Sequence, residues 1–174
     1  MRRQKIFAVS GVKNSGKTTL ISRLIPYFKK KGLSVSVIKH DGHDFEPDVP
    51  GTDSYRIRNA GADGVAVFSG NRMMVIKDGI EISEKELTAE FPESDIIILE
   101  GFKYSEYPKV EAVRREVSSG PVCDPRFLLA IAADFSPEEF QEEYRGVPVY
   151  GLEEQEIGRL AEYLRVSDFG SGIG

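Results

Sequence analysis

Four consecutive apolar residues, Ile6-Phe7-Ala8-Val9, read as a short strand buried on both faces. After a polar interruption, Leu20, Ile21, Leu24, Ile25 and Phe28 recur at helical spacing. Lys29, Lys30 and Lys31 close that helix where its dipole favours cations, and Gly32 stops it. Residues 33–39 predict a second strand. Residues 40–51, with two prolines and three aspartates, cannot build a core and predict a long functional loop. Thr52 or Asp53 caps a short helix that runs through Asn59 and ends at Gly61. Residues 65–69 and 73–77 flank Gly70-Asn71, a two-residue turn, and predict an antiparallel hairpin. Ser83 and Glu86 stand at capping-box spacing at the head of a helix over residues 83–91.

The second half of the chain repeats the strand-then-helix rhythm. Residues 95–99 (Asp-Ile-Ile-Ile-Leu) are the most buried-looking strand and end at Glu100-Gly101. Further strands are predicted over residues 109–114, 127–132 and 147–150. Ser136-Pro137-Glu138-Glu139 predicts a helix start, and residues 153–164 an amphipathic last helix. Alternating strands and helices of this kind imply an open, mostly parallel sheet with ligands at the C-terminal strand ends.

Length and charge narrow the function. At 174 residues the chain reads as one domain over residues 1–165, followed by a Gly- and Ser-rich, flexible tail over residues 166–174. A formal net charge of −5 argues against a general nucleic-acid binder. Cys123 is the only cysteine, which excludes an intrachain disulfide and a thiolate metal cage. Residues 127–133 form the longest apolar run, far too short to cross a membrane, and no targeting segment is evident, so a cytoplasmic location is expected.

The chemistry is concentrated between the first strand and the first helix. Residues 11–18, Gly-Val-Lys-Asn-Ser-Gly-Lys-Thr, match the phosphate-binding pattern G-x-x-x-x-G-K-[ST]. Gly11 and Gly16 permit a backbone whose N–H groups converge on phosphate oxygens. Lys17 supplies charge for the outer phosphates, and the Thr18 hydroxyl is placed to ligate Mg²⁺. A loop at a helix N-terminus gains further anion affinity from the dipole. The fold class is therefore α/β, a P-loop NTPase-type three-layer fold with a mostly parallel central sheet plus an antiparallel hairpin.

Bound Mg²⁺ needs one or two carboxylates besides the phosphates. Glu100 leads, because it directly follows an apolar strand as a Walker B acid does. Asp41, just past the second strand, is next; Asp53 reads either as an acidic site residue or as a helix cap. His40-Asp41-Gly42-His43-Asp44 gathers both histidines, but with no distal ligand set it reads as a polar loop facing a phosphate-bearing ligand. Asp134, beyond a late strand, reads either as the acceptor for the N–H edge of guanine or as an ordinary loop residue. Asp168-Phe169-Gly170 imitates a kinase metal triplet without the catalytic loop that goes with it. Arg114-Arg115 reads as a solvated strand end.

The loop segment residues 9–20, Ile38-Lys39-His40-Asp41, Pro50-Gly51-Thr52-Asp53-Ser54-Tyr55-Arg56 with Ala60-Gly61-Ala62, and Leu99-Glu100-Gly101-Phe102-Lys103 together resemble the molybdopterin-guanine dinucleotide biosynthesis adapter proteins, the MobB family. The likeness spans most of residues 5–134. It implies a GTP-binding protein with weak GTPase activity, a homodimer that assists the guanylyltransferase joining GMP to molybdopterin. Gly11, Lys13, Asn14, Ser15, Gly16, Lys17, Thr18 and Thr19 would form the phosphate site, with Asp41, Asp53 and Glu100 around Mg²⁺ and the switch region. Molybdopterin itself is a further ligand of that assembly. The alternative is a small-molecule kinase in which Asp41 positions an acceptor hydroxyl. Arg56, Arg58, Arg72, Arg114, Arg115 and Arg126 do not cluster as a kinase lid, and no residue stands out to orient water, which predicts slow hydrolysis.

Overall fold

The computed structural model describes residues 4–42, 45–140 and 142–169. The chain divides into two compact units, one built from the residues up to His40 together with those from Thr88 onward, the other from Asp41–Leu87. Among the described residues no helix is long and apolar enough to cross a membrane.

The first unit is a six-stranded sheet, β1 (Lys5–Ser10), β2 (Val35–Lys39), β5 (Ile96–Glu100), β6 (Lys109–Val113), β7 (Leu128–Ala133) and β8 (Val149–Tyr150). Their order is β2-β5-β1-β6-β7-β8, and every pairing is parallel. Helices α1 (Lys17–Lys30) and α4 (Glu154–Val166) cover one face. Leu20, Leu24 and Phe28 of α1, and Ile157, Leu160 and Leu164 of α4, meet Phe7, Val9, Ile96, Ile98, Val110 and Ala130 there. Ile131, Val113 and Ala133 face the other way, against Phe140 and Tyr144. Burial on both faces explains why β1, β5 and β7 read as continuous apolar runs rather than as alternation. The chain moves to one side of β1 to form β2, and after β5 it crosses to the other side to form β6. Such a reversal opens a crevice at the C-terminal end of the central strand.

The second unit carries α2 (Asp53–Asn59), the hairpin β3 (Gly64–Ser69) and β4 (Arg72–Lys77), and most of α3 (Glu84–Ala89). Thr52, not Asp53, is the cap of α2, its hydroxyl accepting from Tyr55 N. Ser69 pairs with Arg72 across the predicted Gly70-Asn71 turn. At the head of α3, Ser83 N donates to the Glu86 carboxylate at 2.8 Å, and Glu86 N donates back to Ser83 Oγ at 3.2 Å.

Two expectations are corrected. Ser136 does not start an α-helix; residues 137–139 and 142–144 form separate 3₁₀ turns. The cap bond does form, Ser136 N to Glu139 Oε1 at 2.9 Å, but Arg115 engages the same carboxylate, and Phe140 and Tyr144 are drawn into the apolar cluster. The stretch expected to be flexible from Val166 is anchored as far as Phe169, which is buried with its ring edge-on to Phe7 at 6.0 Å.

Candidate functional site

Residues 11–18 lie at the crevice beside β1, and their shape depends on glycine at two points. Gly11 has φ +134°, and a Cβ there would sit 2.4 Å from the Ala112 carbonyl oxygen of β6. Gly16, at φ +88°, is the residue before α1 and supplies no side-chain cap. No acid stands in the first turn of α1. The first N–H groups of the helix thus keep their capacity for an anion, in the field of the helix dipole. Ser15 Oγ is buried at 2 % exposure and has no hydrogen-bond partner among the described residues. Asn14 takes φ +65°, which asparagine tolerates better than most residues.

Lys17 Nζ donates to Val12 O at 2.7 Å and to Gly11 O at 3.3 Å, so its ammonium lies over the loop. Burial holds it below the ordinary lysine range, with the Glu100 carboxylate pulling the other way. Thr18 Oγ1 donates to Glu100 Oε1 at 2.6 Å, and Lys39 Nζ is 3.8 Å from the same oxygen. Glu100 is buried as the last residue of β5, next to β1. Behind it Ser10 Oγ donates to Gly101 O, and Gly101 N donates to Val9 O at 3.0 Å. Gly101 at φ +99° and Phe102 at φ +45° turn the chain sharply, and the Phe102 ring meets His40 edge-on at 5.8 Å. The adjoining hydroxyl and carboxylate are the hard oxygen donors that Mg²⁺ takes beside phosphate oxygens, so the pair fits that ion. Among the described residues no group of three or more His, Cys, Asp or Glu forms a metal cage.

The fold therefore brings together Gly11, Ser15, Gly16, Lys17, Thr18 and Glu100, while Lys13, Asn14 and Thr19 are exposed on the loop and the first turn. Asp41 and Asp53 belong to the second unit; Asp53 is exposed at the start of α2, 3.9 Å from Arg56. Arg58 is taken up by Glu46 and Asp78. His43 and Asp44 lie outside the described residues. Asp134 is exposed, and its Oδ1 accepts from Arg115 N at 2.8 Å.

Sequence reasoning missed two features. The side chain of Arg114 reaches the loop: its Cδ is 3.6 Å from where a Cβ on Gly16 would stand. Beneath the loop's far wall, Glu111 is buried and accepts from Val122 N at 2.7 Å and Cys123 N at 2.9 Å. Lys109, also buried, donates to Ser105 O at 2.5 Å. The available signal was the pair of charges two apart in an otherwise apolar strand, which points both side chains to one face.

A family model described as "Molybdopterin guanine dinucleotide synthesis protein B" matches residues 6–134. The "Molybdopterin-guanine dinucleotide biosynthesis adapter protein" of Escherichia coli K12 is 35% identical over 139 residues, covering 74% of this chain and 78% of the relative. Its counterpart of the same name in Haemophilus influenzae is 31% identical over 136 residues, 76% of each chain. The crystal structure of Bacillus subtilis MobB superposes with a TM-score of 0.69 at 28% identity, covering 94% of this chain and 99% of that one.

Proposed function

The chain belongs to the MobB family, and on that premise we propose that it is an adapter of molybdopterin guanine dinucleotide biosynthesis that holds Mg-GTP for a guanylyltransferase. The observation that carries this reading is the phosphate loop, with its free helix N-terminus, the orphaned Ser15 hydroxyl, Lys17, and the Thr18–Glu100 pair. The N–H groups at the head of α1 and the Lys17 ammonium bind the triphosphate. Thr18 and Glu100 hold Mg²⁺, which neutralises phosphate charge when bound. Asp134 is assigned to the guanine edge, and Asp41 and Asp53 to the switch region.

Hydrolysis is slow in this proposal. The Glu100 carboxylate is committed to Thr18 and Lys39, so the groups at the loop neutralise charge rather than orient a water. The homodimer is part of the same proposal. Phe68 and Met73, cross-strand neighbours on the hairpin, are 81% and 71% exposed, which supports a second copy on that face.

Thermal unfolding with Mg-GTP and Mg-ATP tests the reading. Mg-GTP is expected to raise the melting temperature more than Mg-ATP, and Lys17→Ala to abolish both shifts. Equal shifts would remove the guanine assignment, and none with either nucleotide would remove the nucleotide-holding role. Adding the chain to a purified guanylyltransferase at limiting GTP should raise dinucleotide output, and unchanged output would remove the adapter assignment.

A further inference from the structure

We propose that the guanidinium of Arg114 is a direct ligand of the phosphate chain held by residues 11–18. The inference rests on the phosphate-binding reading above and adds to it a residue outside the loop motif. β6 runs beside β1, and its end walls the loop in two places. The Ala112 carbonyl closes against Gly11, and two residues later the Arg114 side chain passes over Gly16. Ala112 lies in β6 and Arg114 directly follows its last residue, so the end of this one strand supplies both contacts.

Arg114 is pre-positioned on its backbone and uncommitted at its tip. Its carbonyl accepts from Val117 N at 3.0 Å and Ser118 N at 2.9 Å. The next N–H, that of Arg115, is held by Asp134 Oδ1 at 2.8 Å. The two arginines are then used differently. Arg115 turns away to Glu139 at 2.8 Å and lies over the Phe135 ring at 4.3 Å. Arg114 is exposed and has no carboxylate within 4.0 Å among the described residues, whereas Arg23, Arg115, Arg126, Arg145, Arg159 and Arg165 of the same unit each have one.

The charge at the loop points the same way. Lys13, Lys17 and Arg114 surround it, while the carboxylate of Glu100 is bonded to Thr18 and Lys39. A cluster of spare cations in a chain of net charge −5 is matched by an anion of several charges. A guanidinium, with its fixed fork of donors, suits phosphate oxygens.

The test titrates the full chain and its Arg114→Ala, Arg114→Gln and Arg114→Lys variants with inorganic tripolyphosphate and with GTP, by calorimetry in Mg²⁺. Losing a charge-assisted contact should weaken both ligands about tenfold in Arg114→Ala and Arg114→Gln, with Arg114→Lys in between. The unliganded melting temperatures should stay together, because the exposed side chain makes no ion pair among the described residues. Unchanged tripolyphosphate affinity with weakened GTP would place Arg114 on the nucleoside and overturn the proposal. Unchanged affinity for both would overturn it outright. A wild-type chain that binds neither ligand would overturn the phosphate-loop reading, and this assignment with it.

Discussion

Replacing Gly11 with alanine puts the packing argument at risk more directly than any change of charge. The added Cβ would lie 2.4 Å from the Ala112 carbonyl oxygen and 2.6 Å from Ser15 Oγ. The serine can rotate; the carbonyl belongs to β6, pinned between β1 and β7. Relief therefore means parting β1 from β6 or pushing the loop out. Overpacking of this kind costs about 1–3 kcal/mol. The backbone at φ +134° adds about 1–3 kcal/mol for a residue with a side chain. The sum centres on about 4 kcal/mol, which in a chain of this size lowers the melting temperature by about 8–16 °C. Gly16→Ala is the internal control. Its Cβ would meet only Arg114 Cδ, at an ordinary 3.6 Å, so the φ +88° strain remains and the clash does not. Thermal unfolding of both variants, without ligand, separates the two contributions. If Gly11→Ala melted no lower than Gly16→Ala, the claim that β6 shapes the phosphate loop would be wrong.

Phe169→Ala is expected to cost about 3–5 kcal/mol, seen as a fall of about 6–20 °C, because the ring is buried against Phe7 with Lys5 Nζ 4.9 Å from its centre. A melting temperature within 2 °C (roughly 0.5–1 kcal/mol) of wild type would return the segment to a free tail. The Cys123 thiol is pushed up to about 12, first by burial and then by Glu111. The folded chain keeps a proton that the unfolded chain sheds from about pH 8.5, so this contribution is full below that pH and is lost as pH rises toward 12. Urea midpoints at pH 7 and pH 10 should therefore fall further for wild type than for Cys123→Ala, and equal falls would refute the assignment.

How much of this was legible depended on whether a residue's role is local. The strand, loop and helix over the first thirty residues were readable, because an apolar run, a glycine pattern and a helical period each act over a few positions. The hairpin was readable for the same reason: a two-residue turn sets the register from Ser69 and Arg72 outward. Ser136 shows the limit. Its capping signal was correct about the first bond but silent on length, since the pull of Phe140 and Tyr144 toward Val113 and Ile131 is tertiary. Glu111 reads as a charge in a strand; it is buried because backbone N–H groups of Val122 and Cys123 arrive to meet it. Arg114 and Arg115 are the same letter twice, and only the turn after β6 sends one to the loop and the other to Glu139.

The central place of β1 also fixes an order of events during synthesis. The hairpin closes on itself as soon as Arg72 follows Ser69, whereas Lys5 must wait for Ile96, and Ser10 for Glu111. Joining segments so far apart in sequence is the slow part of building a parallel sheet. Both walls of the phosphate loop, Glu100 and Ala112, come from those late arrivals. A nascent chain therefore carries the loop sequence before its walls exist, and cannot shape the loop until residues 96–113 have been made and β6 has docked. On the proposed function, an anion held by this loop would act as a check on completion: it would stabilise the finished sheet and give nothing to its precursors.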